Sequence, residues 1–425
     1  MEYITNKTES GIYRCDVFSD DYKTNHISVN FFHPLSKENA SNVALLCAVL
    51  KRGNAKYGEM DKISAFLETN YGAGFSVNTA KIGDMQELSV SVNAIADEYA
   101  IDGEPISENI TDLLYATLFE PMIEDGGFKA SFVEQEKTNL KDRIRALIND
   151  KQSYSLEKCK EIMFEGDAYG SFELGDIECI DKITPQSLYE FYNNLINTAM
   201  LFVCYAGKKC DSDKLVLPLT KKLGNKTRID FATKVNDSVT DVKDVKEQMK
   251  VAQSKLNLGF RLGQKAKEDI FALKMFNVIF GSSPTSKLFM NVREKLSLCY
   301  YCASVCDSAK NVMFVYSGVE TKNVTVAKDE ILNQLSYMKS GDFTAEEFEN
   351  ARAYLVDSFT QAGDMPSLAV SFLVFAIIHG HGLDPIRQIE TINEVTPERV
   401  KAVAQNVTLD TVFVLEGIGG EQIDG

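Results

Sequence analysis

Four histidines and nine cysteines are the residues of this 425-residue chain best suited to metal or nucleophilic chemistry. A zinc-dependent hydrolase needs two histidines one helical turn apart, so that both rings reach one ion, and a carboxylate to activate the bound water. The histidines stand at 26, 33, 379 and 381, and neither H-E-x-x-H nor its inverse H-x-x-E-H can be written with them. His379 and His381 lie in Ile-Ile-His-Gly-His-Gly, the pattern of a helix end running into a turn, and read as structural. Cys299, Cys302 and Cys306 lack a second C-x-x-C pair to complete four ligands. Leu298 to Val305 reads as a strand, which sends residues 299 and 302 to opposite faces, so these are expected to be core cysteines. No phosphate-cradling or nucleophile-elbow glycine motif is present. No catalytic group, metal site or cofactor is therefore assigned to the chain by itself.

Charge narrows the partners. The chain carries 61 acidic and 45 basic side chains, a net charge of −16. Such a surface repels nucleic-acid phosphates and anionic lipid, so neither is an expected partner. The apolar runs, Phe372 to Ile378 among them, fall far short of the roughly 18–20 residues of a membrane span. Residues 1–11 are polar and lack the basic start and apolar core of a signal peptide. Scattered cysteines, odd in number, suit a reducing compartment. A cytoplasmic location is expected.

The strongest organisational signal is internal repetition. Sliding the chain by 212 residues brings Thr184-Pro185 onto Thr396-Pro397, Asn194 onto Asn406, Val203 onto Leu415 and Gly207 onto Gly419. Each copy reads as a Thr-capped helix with proline in its first turn, then an apolar strand, then glycine. Strands with clear alternation are expected at His26 to Phe31, Leu88 to Asn93, Leu256 to Leu262 and Met313 to Ser317. Longer helical patterns run from Val43 to Lys51, Met60 to Asn70, Ser131 to Asn149, Asp269 to Phe280 and Thr344 to Ala362. Thr344 and Glu347 are spaced as a capping box. These features predict an α+β protein of two duplicated halves, each a mostly antiparallel sheet with helices on one face. The halves are placed at residues 1–215 and 251–425, joined by a polar linker at 216–250.

Within this framework the sequence resembles the M16 peptidase family (insulinase, pitrilysin, mitochondrial processing peptidase). Arg52-Gly53-Asn54, Tyr57, Leu67-Glu68 and Gly72 fit the frame that follows the family's H-x-x-E-H helix. Counting back from Gly53 puts that motif on Ala44-Leu45-Leu46-Cys47-Ala48, with alanine at both histidine positions and cysteine at the catalytic glutamate. On a later helix, Glu136 matches a retained carboxylate and Arg143 the third metal ligand, so a fixed cation stands where an ion would bind. In the second half, Arg293-Glu294-Lys295-Leu296-Ser297-Leu298-Cys299-Tyr300 matches the family's Arg-Glu-x-x-Gly-Leu-x-Tyr element, with Ser297 replacing glycine. The match is most similar to bacterial members of about 420 residues, in the group associated with 5-aminopentanol modification of elongation factor P.

The resemblance implies a clamshell of the two halves, and a division of labour. Where two chains share one M16 active site, one supplies zinc and the other the Arg/Tyr pair, which binds the peptide main chain and supports charge in the transition state. Arg293 and Tyr300 are thus expected to serve a zinc-bearing sister chain acting on a peptide or small protein, with no zinc in this chain. Isolated, the chain is expected to be able to pair with itself. The alternative is a catalytically dead scaffold of the same shape.

Overall fold

The computed structural model describes residues 1–209, 212–224, 228 and 232–418; Cys210 and Gly419 lie outside them. Two compact units form. The first comprises residues 1–144, 171–232 and 361–385, and the second residues 145–170, 233–360 and 386–425.

The first unit is built on strands β1 (Glu2–Lys7), β2 (Ile12–Phe18), β3 (Thr24–Pro34), β4 (Gly74–Ile82), β5 (Met85–Ile95) and β6 (Met200–Gly207). Their order across the sheet is β1-β2-β6-β3-β5-β4. Only β2 and β6 pair in parallel. The second unit has β7 (Lys243–Met249), β8 (Ser254–Arg261), β9 (Cys299–Asp307), β10 (Val312–Val319) and β11 (Thr408–Gly417), in the order β7-β11-β8-β10-β9. Here β7 and β11 make the parallel pair. Leaving β1 aside, the two sheets have one topology: an early edge strand parallel to the last strand, then a three-strand antiparallel run. The repeat in the sequence is a repeat of whole sheets.

Alternation decides which residues face which layer. On β3, Ile27, Val29 and Phe31 join a core with Val43 and Leu46 of the Lys37–Arg52 helix and Leu188 and Leu195 of the Pro185–Thr198 helix. Phe32 points the other way. With Met85, Phe202 and Cys204 it packs against Val370, Leu373 and Val374 of the Pro366–Ile378 helix. In the second unit, Phe314, Phe413 and Leu415 pack against Cys159 and Met163 of the Lys151–Met163 helix.

The compact units therefore differ from the contiguous halves expected from sequence. Helices Lys151–Met163 and Pro366–Ile378 sit about one repeat length apart, and each covers the sheet of the unit built mainly from the other half. The reason is apolar area: both sheets have a second hydrophobic face, and burying it outweighs keeping the halves separate. Two stretches of the expected linker form regular elements that its polar composition does not suggest. Leu215, Val216 and Leu219 of the Ser212–Leu223 helix are buried in the first unit, and β7 supplies an edge strand of the second. The lysines and glutamate of β7 suit an edge, where charge discourages further pairing.

Local signals behave as read. Thr184 caps its helix with Ser187 in the reciprocal position, and Thr344 and Glu347 form both bonds of a capping box. Gly175 has φ +83°, and a Cβ there would come within 2.4 Å of Ser41 Cα, so only glycine fits beneath the Lys37–Arg52 helix. Among the described residues no single helix is long and apolar enough to cross a membrane.

Candidate functional site

The Lys37–Arg52 helix starts on Ser36, whose side chain accepts from the Asn39 amide, and ends with Lys51 and Arg52 in the last turn. Residues 44, 47 and 48 share one face at helical spacing. Ala44, Cys47 and Ala48 line a cleft of about 470 Å³ together with Glu136 and Arg143 from the Ala130–Ala146 helix. All five residues named from the sequence in the first half thus converge. The Arg52 guanidinium lies 3.5 Å from Glu136 Oε1, and Asn139 donates to Glu136 Oε2 at 3.1 Å. Glu136 is thus held by a cation from the neighbouring Lys37–Arg52 helix.

The Cys47 thiol donates to the carbonyl of Asn78 at 3.4 Å. Burial pushes its pKa far up, aided by the charge of Glu87 and opposed by Arg143, so the sulfur stays protonated. Two alanines, a protonated thiol and a guanidinium do not fit a zinc ion, which takes neutral imidazole, thiolate or carboxylate. Among the described residues no three His, Cys, Asp or Glu side chains gather as ligands anywhere.

Arg293 and Tyr300 lie in the second unit. Arg293 sits in the π-helical segment Leu288–Lys295, which closes with a bond from the Leu296 amide to Asn291 O. Its guanidinium is 4.6 Å from the Phe289 ring and 3.5 Å from Glu294, and its side chain is 40% exposed. Tyr300, on β9, is 58% exposed, and its hydroxyl has no hydrogen-bond partner among the described residues. Between them Ser297 adopts φ +50°. That is a left-handed conformation that glycine takes freely and serine holds at a cost of about 1 kcal/mol. The one departure from the Arg/Tyr pattern falls where the backbone most favours glycine.

Cys299 and Cys302 are core cysteines as expected, but their expected facing needs correction. A register shift between Cys299 and Tyr301 inserts an extra residue, so Cys299 and Cys302 are both buried instead of facing opposite ways. Hydrogen bonding from Cys302 and Ser317 and the charge of Arg293 draw the Cys299 pKa down. Strand periodicity alone gives no sign of a bulge.

Several lining residues escape the sequence pattern. Lys51, Asn78, Thr79 and Glu173 join the cleft from the helix end, β4 and a loop. On the other face of the sheet, Glu87, Ser89 and Ser91 line a second cavity of about 300 Å³ with His26, Ser28 and Asn30. Their alternation with Leu88, Val90 and Val92 is the signal that finds them. Burial raises the Glu87 pKa to about 7. An unfolded chain releases that proton near its ordinary 4.5, so between these values the native state alone keeps it. Stability is then lost as pH rises through the window, by roughly 3 kcal/mol. His26, whose pKa burial lowers, works in the opposite direction. The difference in melting between wild type and E87Q should isolate Glu87: E87Q gains relative stability from pH 5 to 8, and parallel curves would refute the assignment.

Comparison with known proteins fits this geometry. Residues 182–355 match the family model described as the peptidase M16 inactive domain. A Bacillus subtilis protein, probable inactive metalloprotease YmfF, is 31% identical over 408 residues, covering 95% of each chain. The chain belongs to the M16 peptidase family. A second Bacillus subtilis relative, the uncharacterized zinc protease YmxG, is 22% identical over 71% of this M16 chain and 74% of its own length. The crystal structure of a conserved protein from Enterococcus faecalis has a TM-score of 0.87 at 27% identity, covering 98% of this chain and 99% of that one. A peptidase M16 inactive domain from Pseudomonas fluorescens shares the fold, with a TM-score of 0.80 at 17% identity over 99% of this chain and all of its own. This chain is thus an M16 metalloprotease homologue without the zinc motif.

Proposed function

We propose that this chain is the zinc-less, cytoplasmic subunit of a two-chain M16 endopeptidase, lending Arg293 and Tyr300 to a sister chain that carries H-x-x-E-H and zinc. The observation that carries the reading is the contrast between the two units. Where the first has alanine, thiol and guanidinium at the motif positions, the second keeps Arg293 and an unengaged Tyr300 hydroxyl at the family's spacing. A phenol with no hydrogen-bond partner among the described residues, and a half-buried guanidinium paired within its own segment, have little structural work to do. Both are donors suited to a peptide carbonyl, and to the negative charge that gathers on it during hydrolysis. The sister's metal site supplies the activated water; this chain orients the main chain.

The test is purification from the native host with a tag on this chain, followed by mass spectrometry, zinc analysis and a peptide-cleavage assay. A similar-sized M16 chain bearing the zinc motif, one zinc per pair, and cleavage that needs both chains are the expected results. Recovery of this chain alone or as a pair with itself, inert towards peptides with and without the sister added, overturns the proposal. It would leave the scaffold reading, which the description of the Bacillus subtilis relative favours.

A further inference from the structure

The cleft over Ala44, Cys47 and Ala48 has a charge pattern that loss of a metal site does not by itself require. Short side chains form its floor, leaving about 470 Å³ open. Lys51, Arg52 and Arg143 stand around it. Arg52 is engaged with Glu136. Lys51 and Arg143 have neither an ion-pair nor a hydrogen-bond partner among the described residues. The Thr79 hydroxyl oxygen accepts from Gln86 Nε2 at 3.0 Å, which leaves its proton free to donate. The cleft is thus lined by donors, although the chain as a whole carries −16.

We propose that this cleft binds a carboxylate of a peptide, either its chain end or an acidic side chain, with Arg143 and Lys51 as the charged donors. Three cations against the carboxylates of Glu136 and Glu173 leave a surplus of one positive charge. A monoanion matches that surplus, whereas dianionic phosphate overshoots it in a chain already acidic. The planar fork of a guanidinium is shaped for the two oxygens of a carboxylate. Low-dielectric walls from Ala44, Ala48 and Val77 strengthen the attraction relative to open surface. The ligand class rests on the peptide-holding role proposed above; the charge pattern stands without it.

The experiment uses the purified full-length chain and calorimetric titration at low ionic strength. Four probes separate the sources: acetyl-trialanine with a free carboxyl end, the same peptide amidated, amidated acetyl-Ala-Asp-Ala, and inorganic phosphate. One or both of the carboxylate peptides should bind at least tenfold more tightly than the amidated trialanine, and which one does names the source. Added salt should weaken binding. R143E should reduce it at least tenfold, and K51Q should reduce it less. Both residues are solvent-exposed, so thermal melting should confirm that the variants fold. Equal binding of acid and amide, tighter binding of phosphate than of either acid, or unchanged binding in a folded R143E overturns the proposal. Since no sister chain is present, failure here leaves the cleavage test of Arg293 and Tyr300 intact.

Discussion

Replacing Arg293 and Tyr300 together by alanine is expected to lower the peptide-cleavage rate of the assembled two-chain enzyme by about 10²–10³-fold. Assembly and melting temperature should stay nearly constant. The rate effect follows from removing two preorganised donors aimed at a carbonyl that gains negative charge. The neutral stability follows from position: the cation–π and ion-pair contacts of Arg293 are to Phe289 and Glu294 of its own segment, and Tyr300 is more than half exposed. Exposed substitutions of this kind usually shift stability by less than about 0.5 kcal/mol. Single variants divide the effect. Y300F removes the hydroxyl and keeps the ring, while R293K keeps charge but loses the fork, so it should recover only part of the rate. A fall in kcat and kcat/KM together marks support of the transition state; a rise in KM alone marks ground-state peptide binding. A double variant that cleaves at the full rate would remove the assisting role altogether.

The second large effect is a gain. The combined substitution A44H, C47E, A48H and R143E should give a chain that binds about one zinc, where the parent binds none. Positions 44 and 48 are one turn apart on the cleft face, so two imidazoles there can reach one ion. C47E exchanges a protonated thiol for a carboxylate between them. R143E removes the opposing cation and supplies a third donor from the Ala130–Ala146 helix, which lines the same cleft. The cost lies at Ala44 and Cys47, each only 5% exposed, where a larger ring and a buried carboxylate should each destabilise by about 1–3 kcal/mol before metal is added. Zinc should then restore stability by mass action, raising the melting temperature with metal concentration. Metal analysis after dialysis reads the stoichiometry, and a folded variant that retains no zinc would show that the helix register is misplaced.

Much of this was legible in the sequence because it depends on local rules. Thr184 and Thr344 cap helices by hydrogen bonds that need only three or four residues, and the alternation of β3 and β5 is fixed by a pleat of period two. The convergence of Ala44, Cys47, Ala48, Glu136 and Arg143 came from the spacing of a family motif. Features that depend on distant partners were hidden. Nothing near Val370 says that it covers Phe202, and nothing near Met163 says that it packs on Phe413. The bulge beside Tyr300 was hidden for a different reason, since one inserted residue reverses a facing pattern without changing composition. Lys51 and Asn78 were missed because a cleft wall is assembled from elements that no single periodicity connects.

The crossed helices also set an order of events during synthesis. The last strand of the first sheet ends at Gly207, but the helix that covers its second face begins at Pro366, about 160 residues later. At translation rates of about 5–20 residues per second, the completed sheet face of Phe32, Met85 and Phe202 waits roughly 10–30 s for Val370 and Leu373 to leave the ribosome. During that interval the nascent chain presents an uncovered apolar sheet, so the vulnerable species in the cell is the half-made protein, well before any partner is met.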